Sequence, residues 1–133
     1  MAIKVLVVDD EADTLHLLEV KLKKAGYDVL TAATGDEGIE KSHQEVPDVV
    51  VLDLLMPGIN GLEVCQKVKA GMETPPLIIM LSAKREVESI SAAFAAGVDD
   101  YMTKPFSPHS LTERVRILLI KNGRYPQQTS SAD

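Results

Sequence analysis

Residues 48–64 read Asp-Val-Val-Val-Leu-Asp-Leu-Leu-Met-Pro-Gly-Ile-Asn-Gly-Leu-Glu-Val, and the fold turns on this stretch. Val49 to Leu52 is an unbroken β-branched and aliphatic run that ends on a charge, Asp53. Such a run predicts a strand buried on both faces, the kind that parallel sheets contain. Pro57 and Gly58 continue neither strand nor helix, so the chain turns just past Asp53. From Gly61 onward Leu62, Cys65, Val68 and Met72 recur at helical spacing. Asp53 is thereby expected at the carboxyl end of a central strand, the edge where open α/β sheets collect ligands. Taken alone, an Asp in that place is more often just the point where a strand meets water. Its meaning depends on what the other strands deliver there.

Outward from this stretch the same alternation repeats. Ile3 to Val8 reads as a first strand and ends on Asp9-Asp10-Glu11. A helix striped by Leu15, Leu18, Leu22 and Ala25 follows and stops at Gly26. Asp28 to Ala32 is a shorter, more polar strand suited to a sheet edge, and Gly35 to Ser42 a weak helix anchored by Ile39. Beyond the central stretch, Leu77 to Leu81 is a fourth strand ending on Ser82. Val87, Ile90 and Phe94 stripe a fourth helix closed by Gly97. Tyr101 to Thr103 is a short fifth strand ending on Lys104-Pro105, and Leu111, Val115 and Leu118 stripe a last helix. Five strands alternating with five helices predict a doubly wound α/β domain with a parallel sheet. Right-handed crossovers favour the flavodoxin-like strand order 2-1-3-4-5.

Composition narrows the class. The 133 residues carry a net charge of −6, with 45% hydrophobic and 26% charged residues, which suits one globular domain. That charge argues against direct nucleic acid binding by this domain. Cys65 is the single cysteine, so neither a disulfide framework nor a thiolate metal cluster is available, and a cytoplasmic setting is expected. No apolar run reaches membrane-spanning length, and the opening Met-Ala-Ile-Lys-Val leads straight into a strand rather than a signal peptide. The domain is expected over 1–121. The polar, aperiodic residues 122–133 read as a tail or a truncated linker.

In a 2-1-3-4-5 sheet the strand ends bring Asp9, Asp10, Asp53, Ser82 and Lys104 to one edge. Each has a plainer reading: Asp10 or Ser82 as a helix cap, Lys104 as a solvated charge. The joint arrangement outweighs them. Crowded carboxylates repel, and a hard divalent cation relieves the repulsion. With no His or second Cys in the set, oxygen ligation favours Mg²⁺ over zinc. A carboxylate-held metal, a fixed ammonium and a hydroxyl are what a transferring phosphoryl group needs around it. A carboxylate can itself be the nucleophile, which points to Asp53 as phosphoacceptor. No chemistry is assigned to His16, His43 or His109, and Cys65, Met72 and Met80 read as packing residues.

Asp9-Asp10, Asp53 with Met56-Pro57 and Gly61, Ser82-Ala83, and Tyr101 with Lys104-Pro105-Phe106 resemble the receiver domain of two-component response regulators over residues 3–120. The resemblance implies a phosphorelay protein, not an enzyme, that catalyses only its own phosphorylation and slow dephosphorylation. Asp53 would accept a phosphoryl group from a sensor histidine kinase or phosphotransfer protein. Mg²⁺ would be held by Asp10, Asp53 and the backbone carbonyl of Leu55, with Asp9 acting through water. Lys104 and Ser82 would contact the phosphoryl oxygens, Tyr101 would turn inward as Ser82 moves, and Lys104-Pro105 would be a cis peptide. The switched face, made by the fourth helix, fifth strand and fifth helix, would signal to an output domain or a downstream protein.

Asp99-Asp100-Tyr101 and Arg114-Val115-Arg116 resemble the winged-helix transcription-factor branch, which dimerises through that face. Ile90 and Ser110 stand where the branch usually carries a basic residue and a glutamate. The expectation is a monomer or a weak phosphorylation-dependent dimer. Rival chemistries fit less well. A haloacid-dehalogenase-like phosphatase wants a second Asp where Leu55 stands, and a flavin module wants a Ser/Thr/Gly-rich loop where Asp10-Glu11-Ala12-Asp13 would repel phosphate. A receiver-like module acting purely by interaction would not need the complete acidic set.

Overall fold

Five apolar runs, each too short for a buried helix and each followed by an amphipathic one, fold in alternation as β1 (Lys4–Val8), α1 (Ala12–Lys24), β2 (Asp28–Ala32), α2 (Gly35–Glu45), β3 (Val49–Asp53), α3 (Gly61–Lys69), β4 (Leu77–Ser82), α4 (Val87–Ala95), β5 (Asp100–Thr103) and α5 (Pro108–Lys121). The structure is a computed structural model, and it describes residues 2–124. All strand pairs are parallel and the sheet order is β2-β1-β3-β4-β5, the order expected from the crossovers. Residues 125–133, most of the expected polar tail, lie outside the described residues.

The pleat divides the core in two. Val5, Val7, Val49, Val51, Ile79 and Leu81 point to the side covered by α1 and α5, where Leu18, Leu22, Leu111, Val115 and Leu119 meet them. Leu6, Val8, Val50, Leu52, Ile78 and Met80 point to the other side, against Val64, Cys65, Val68 and Ala93 of α3 and α4. Every residue of β3 is buried, so no position on it alternates to water. Each such fully buried aliphatic side chain contributes about 1.5–3 kcal/mol.

Several boundaries differ from the sequence reading. Helix α2 runs on to Glu45, past the expected Ser42. Helix α3 stops at Lys69, because Ala70 turns extended and Gly71 takes a φ of +73°; Met72 therefore lies outside it. The α4 stripe is the main departure. Ala93 is the buried residue of that helix, whereas Val87 is 75% and Phe94 47% exposed. Helix α4 lies over β5, the last strand of the sheet, so only a narrow strip of it finds a surface to cover.

Specific polar ties lock the ends of these elements. Asp99 Oδ2 accepts both the Lys69 ammonium (2.7 Å) and the Ile78 amide (2.8 Å), joining α3 to the start of β4. At the opposite edge of the sheet from Asp53, Asp48 Oδ2 accepts the Lys4 amide. There the Arg124 guanidinium donates to the carbonyl oxygens of Asp48 (3.2 Å) and Pro75 (2.7 Å). The first residues of the polar segment thus close the end of α5 against the body of the domain.

Two backbone positions give opposite stability predictions. A Cβ at Gly61 would lie 2.8 Å from Leu54 Cα and 3.1 Å from two backbone oxygens, so Gly61→Ala forces the loop after Asp53 to shift. The expected cost is about 1–3 kcal/mol, read as a lower urea midpoint. Val46, exposed at the C-cap of α2, sits at φ +48°, a left-handed conformation that a β-branched residue adopts at a cost. Val46→Gly should raise stability by up to about 1 kcal/mol in the same assay. Equal midpoints for the two variants would contradict both readings.

Candidate functional site

The register of the sheet assembles the site. Val8 pairs with Leu52, Asp53 with Leu81, and Ser82 with Thr103, so the residues at the strand ends stand side by side at one edge. Ligand oxygens of Asp9, Asp10 and Asp53 all lie within 4.8 Å of one another. Lys104 Nζ reaches across from the end of β5, 3.5 Å from Asp53 Oδ2 and 3.9 Å from Asp9 Oδ2. The pleat adds a distinction absent from the sequence reading. Asp9, Asp53 and Lys104 continue the strand positions that face α1 and α5, whereas Ser82 and Tyr101 continue those that face α3 and α4. The charged group and the hydroxyl pair therefore approach the same edge from two sides of the sheet.

Burial sets the electrostatics. Asp9 is fully buried and Asp53 is 5% exposed, while Asp10 is exposed. Desolvation is the largest influence on Asp53 and pushes its carboxyl above the usual range; the Lys104 charge and the Leu55 amide pull it back only in part. Asp9 is raised for the same reason, with the Glu11 amide opposing and the Asp53 charge adding to the rise. Asp53 Oδ1 accepts the Leu55 N–H at 3.3 Å, and Asp9 Oδ1 accepts the Glu11 N–H at 2.9 Å. Asp9 Oδ2 is buried and accepts no hydrogen bond among the described residues. A buried carboxylate oxygen without a hydrogen bond is costly, and the Lys104 ammonium at 3.9 Å offsets that only by charge.

That donor set suits a divalent cation. Three carboxylates face one ammonium, which leaves an excess of two negative charges, and all the side-chain ligands are hard oxygens. Asp9, Asp10 and Asp53 are the side chains that would hold Mg²⁺.

The loop between β4 and α4 carries the hydroxyl. Ser82 Oγ accepts the Lys84 amide at 3.0 Å, and the Tyr101 hydroxyl donates to the Lys84 carbonyl at 3.0 Å, with the Tyr101 ring buried. Lys104 is gripped through its own backbone: its N–H donates to the Ser82 carbonyl (2.8 Å) and its carbonyl accepts from Arg85 Nη2 (3.2 Å). The Lys104–Pro105 bond is cis. Ser82 does not cap α4, whose N-cap is Glu86, and Asp10 does not cap α1, whose N-cap is Glu11. A groove of about 430 Å³ opens beside Lys104, lined by Thr14, Leu17, Leu18, Phe106 and Pro108 among others.

The remaining candidates stay outside the site. Burial pushes the Cys65 thiol up to about 11, and its sulfur donates to the Ala96 carbonyl, as a packing residue would. The His43 ring bonds the Lys67 carbonyl and ties α2 to α3. Sequence reading did not single out Arg85 or the amides of Glu11 and Leu55. A loop arginine and a backbone N–H have no pattern of their own, and only the folded loops bring them to their acceptors.

With this geometry in hand, similarity to known proteins becomes informative. The chain is 44% identical over 116 residues to the alkaline phosphatase synthesis transcriptional regulatory protein PhoP of Bacillus subtilis, covering 87% of this chain and 48% of that protein. It is 44% identical over 121 residues to the probable transcriptional regulator ycf27 of Guillardia theta, covering 91% of this chain and 47% of that one. The chain therefore spans about half the length of the curated relatives it matches. Among solved structures, the response regulator DrrB of Thermotoga maritima, an OmpR/PhoB homologue, superposes with a TM-score of 0.83 at 36% identity, over 92% of this chain and 54% of DrrB. The acidic edge, the sheet order and a match over residues 5–116 agree: the chain belongs to the response regulator receiver domain family.

Proposed function

We propose that Asp53 accepts a phosphoryl group from a phosphohistidine on a sensor histidine kinase or phosphotransfer protein, in a Mg²⁺-dependent reaction. The observation that carries this reading is the desolvated Asp53 carboxylate, set between one ammonium and two further carboxylates. In the transfer, an Asp53 oxygen attacks phosphorus as the phosphorus–nitrogen bond of the donor breaks. The ring nitrogen keeps the bonding pair and takes a proton from solvent, and Asp53 becomes an acyl phosphate. The Leu55 amide and Lys104 orient the carboxylate, and Lys104 then neutralises transferred oxygens. When bound, Mg²⁺ supplies further charge neutralisation at the phosphoryl oxygens. Ser82 uses its hydroxyl as an acceptor for Lys84, so its proton is free to donate to the phosphoryl group once the loop shifts.

The output reading rests on the relatives. Two are named transcriptional regulators and run to about twice the matched length, which supports an attached output domain acting on transcription. With a net charge of −6 the receiver domain itself leaves nucleic acid to that partner. Arg114 closes on Asp100 of its own chain through two bonds of 3.0 Å. An exposed pair of this kind is worth about 0–1 kcal/mol, so any phosphorylation-dependent dimer built on it should be weak. No helix among the described residues is long and apolar enough to cross a membrane. The protein acts in the cytoplasm, beside the kinases that would feed it.

Acetyl phosphate with Mg²⁺ should add one phosphoryl group, detected by intact mass, and Asp53→Asn should abolish the addition. Undiminished incorporation in that variant would sink the assignment.

Metal-free stability should depend on pH with a definite sign. The folded-state values of Asp9 and Asp53 are raised, so the folded protein holds protons that the unfolded chain has lost. The contribution of these two carboxyls to stability is therefore fullest below the unfolded value of about 3.9 and is lost as pH rises through their raised values. Asp9→Asn should be more stable than the parent at neutral pH in chelator, and Mg²⁺ should stabilise the parent far more than this variant. Identical melting curves for the two proteins, with and without Mg²⁺, would refute the charge imbalance as the controlling feature.

A further inference from the structure

Lys104 follows β5, and the loop between β4 and α4 meets its backbone while having few other anchors. The stretch between β4 and α4 leads into a helix without a side-chain N-cap bond, whose buried residue is Ala93 alone. Its ties are the Lys84 amide to Ser82 Oγ, the Tyr101 hydroxyl to the Lys84 carbonyl, and Arg85 Nη2 to the Lys104 carbonyl. Among these, the Arg85 bond alone runs from the loop to the residue whose ammonium faces the phosphoacceptor. The Lys104 amide already donates to the Ser82 carbonyl, so Arg85 completes a grip on both ends of that residue.

We propose that Arg85 is a positioning residue for Lys104, its guanidinium on the Lys104 carbonyl coupling the β4–α4 loop to the placement of the ammonium beside Asp53. The inference rests on the phosphoacceptor reading and extends it. A guanidinium donor to a carbonyl is charge-assisted and directional, here between an exposed Arg85 side chain and the Lys104 carbonyl. Without it, the loop and the β5 corner remain joined through the Ser82–Lys104 backbone bond, so the fold persists. What is lost is correlation. The Lys104 side chain, 27% exposed, then carries its ammonium to positions away from Asp53, and movement of the loop no longer carries Lys104 with it. Lys84, its neighbour in the loop, meets Ser82 and Tyr101 through its backbone amide and carbonyl.

The test is a double-mutant cycle on the phosphoryl uptake rate with acetyl phosphate and saturating Mg²⁺, at an ionic strength that screens charge steering. Arg85→Ala should melt within a degree or two of the parent yet take up phosphoryl on the order of threefold to tenfold more slowly. Arg85→Lys, which keeps a charged donor, should recover part of the rate. In a Lys104→Ala background, itself slow, Arg85→Ala should cause no further loss, because the residue it positions is gone. An equal fold loss in both backgrounds would assign Arg85 an independent effect and overturn the proposal, as would an unchanged rate in the single variant. If the parent takes up no phosphoryl group, or Asp53→Asn takes up as much as the parent, the phosphoacceptor reading fails and the proposal falls with it. The parent and Asp53→Asn controls thus separate the two failures.

Discussion

The structure depends on keeping two carboxylates out of water at the end of a buried sheet. Asp9 and Asp53 are almost fully enclosed, Lys104 is the cation beside them, and one oxygen of Asp9 has no hydrogen-bond partner among the described residues. Desolvating a carboxylate without full compensation opposes folding. The arrangement is a reservoir of unfavourable electrostatics, relieved by whatever positive charge or proton enters it. The excess negative charge that strains the metal-free fold is the same feature that suits the site to a divalent cation.

The rest of the domain carries that strain. Strands β1, β3 and β4 form a wall of aliphatic residues packed on both faces, and their parallel register brings the acidic residues together at one edge. Gly61 lets the loop after Asp53 fold back against Leu54, which confines the chain just beyond that carboxylate. At the far edge, Asp48, Lys4 and Arg124 pin strand beginnings and the end of α5, so the sheet is braced opposite the crowded charges.

Rigidity gives way on one flank. Helix α4 buries little, exposes Val87 and Phe94, and is entered through a loop held by a few hydrogen bonds. Low local burial is where a domain can rearrange at small cost. Ser82 and Tyr101 sit on that flank, whereas Asp9, Asp53 and Lys104 sit on the side packed against α1 and α5. The charged cluster thus lies on the closely packed side of the sheet and the two hydroxyls on the side with the sparsely buried helix.

Much of this was legible in the residues. The apolar run ending at Asp53, its counterparts ending at Asp9, Ser82 and Lys104, and the glycines closing α1 and α4 determined the element order, the parallel sheet and the acidic edge. Burial on both faces and the handedness of crossovers leave few other solutions. Tertiary structure alone decided the rest. Helical spacing placed Val87, Ile90 and Phe94 on one stripe, but spacing does not say how much surface exists to cover it; at the sheet margin Ile90 packs partly against the core while Val87 and Phe94 stay exposed. The length of α3 was decided by the left-handed turn at Gly71 rather than by the periodicity that ran on to Met72. The carbonyl acceptors of Arg85 and Arg124 lie 19, 49 and 76 residues away in the chain, and no local pattern encodes a bond that only the folded backbone creates.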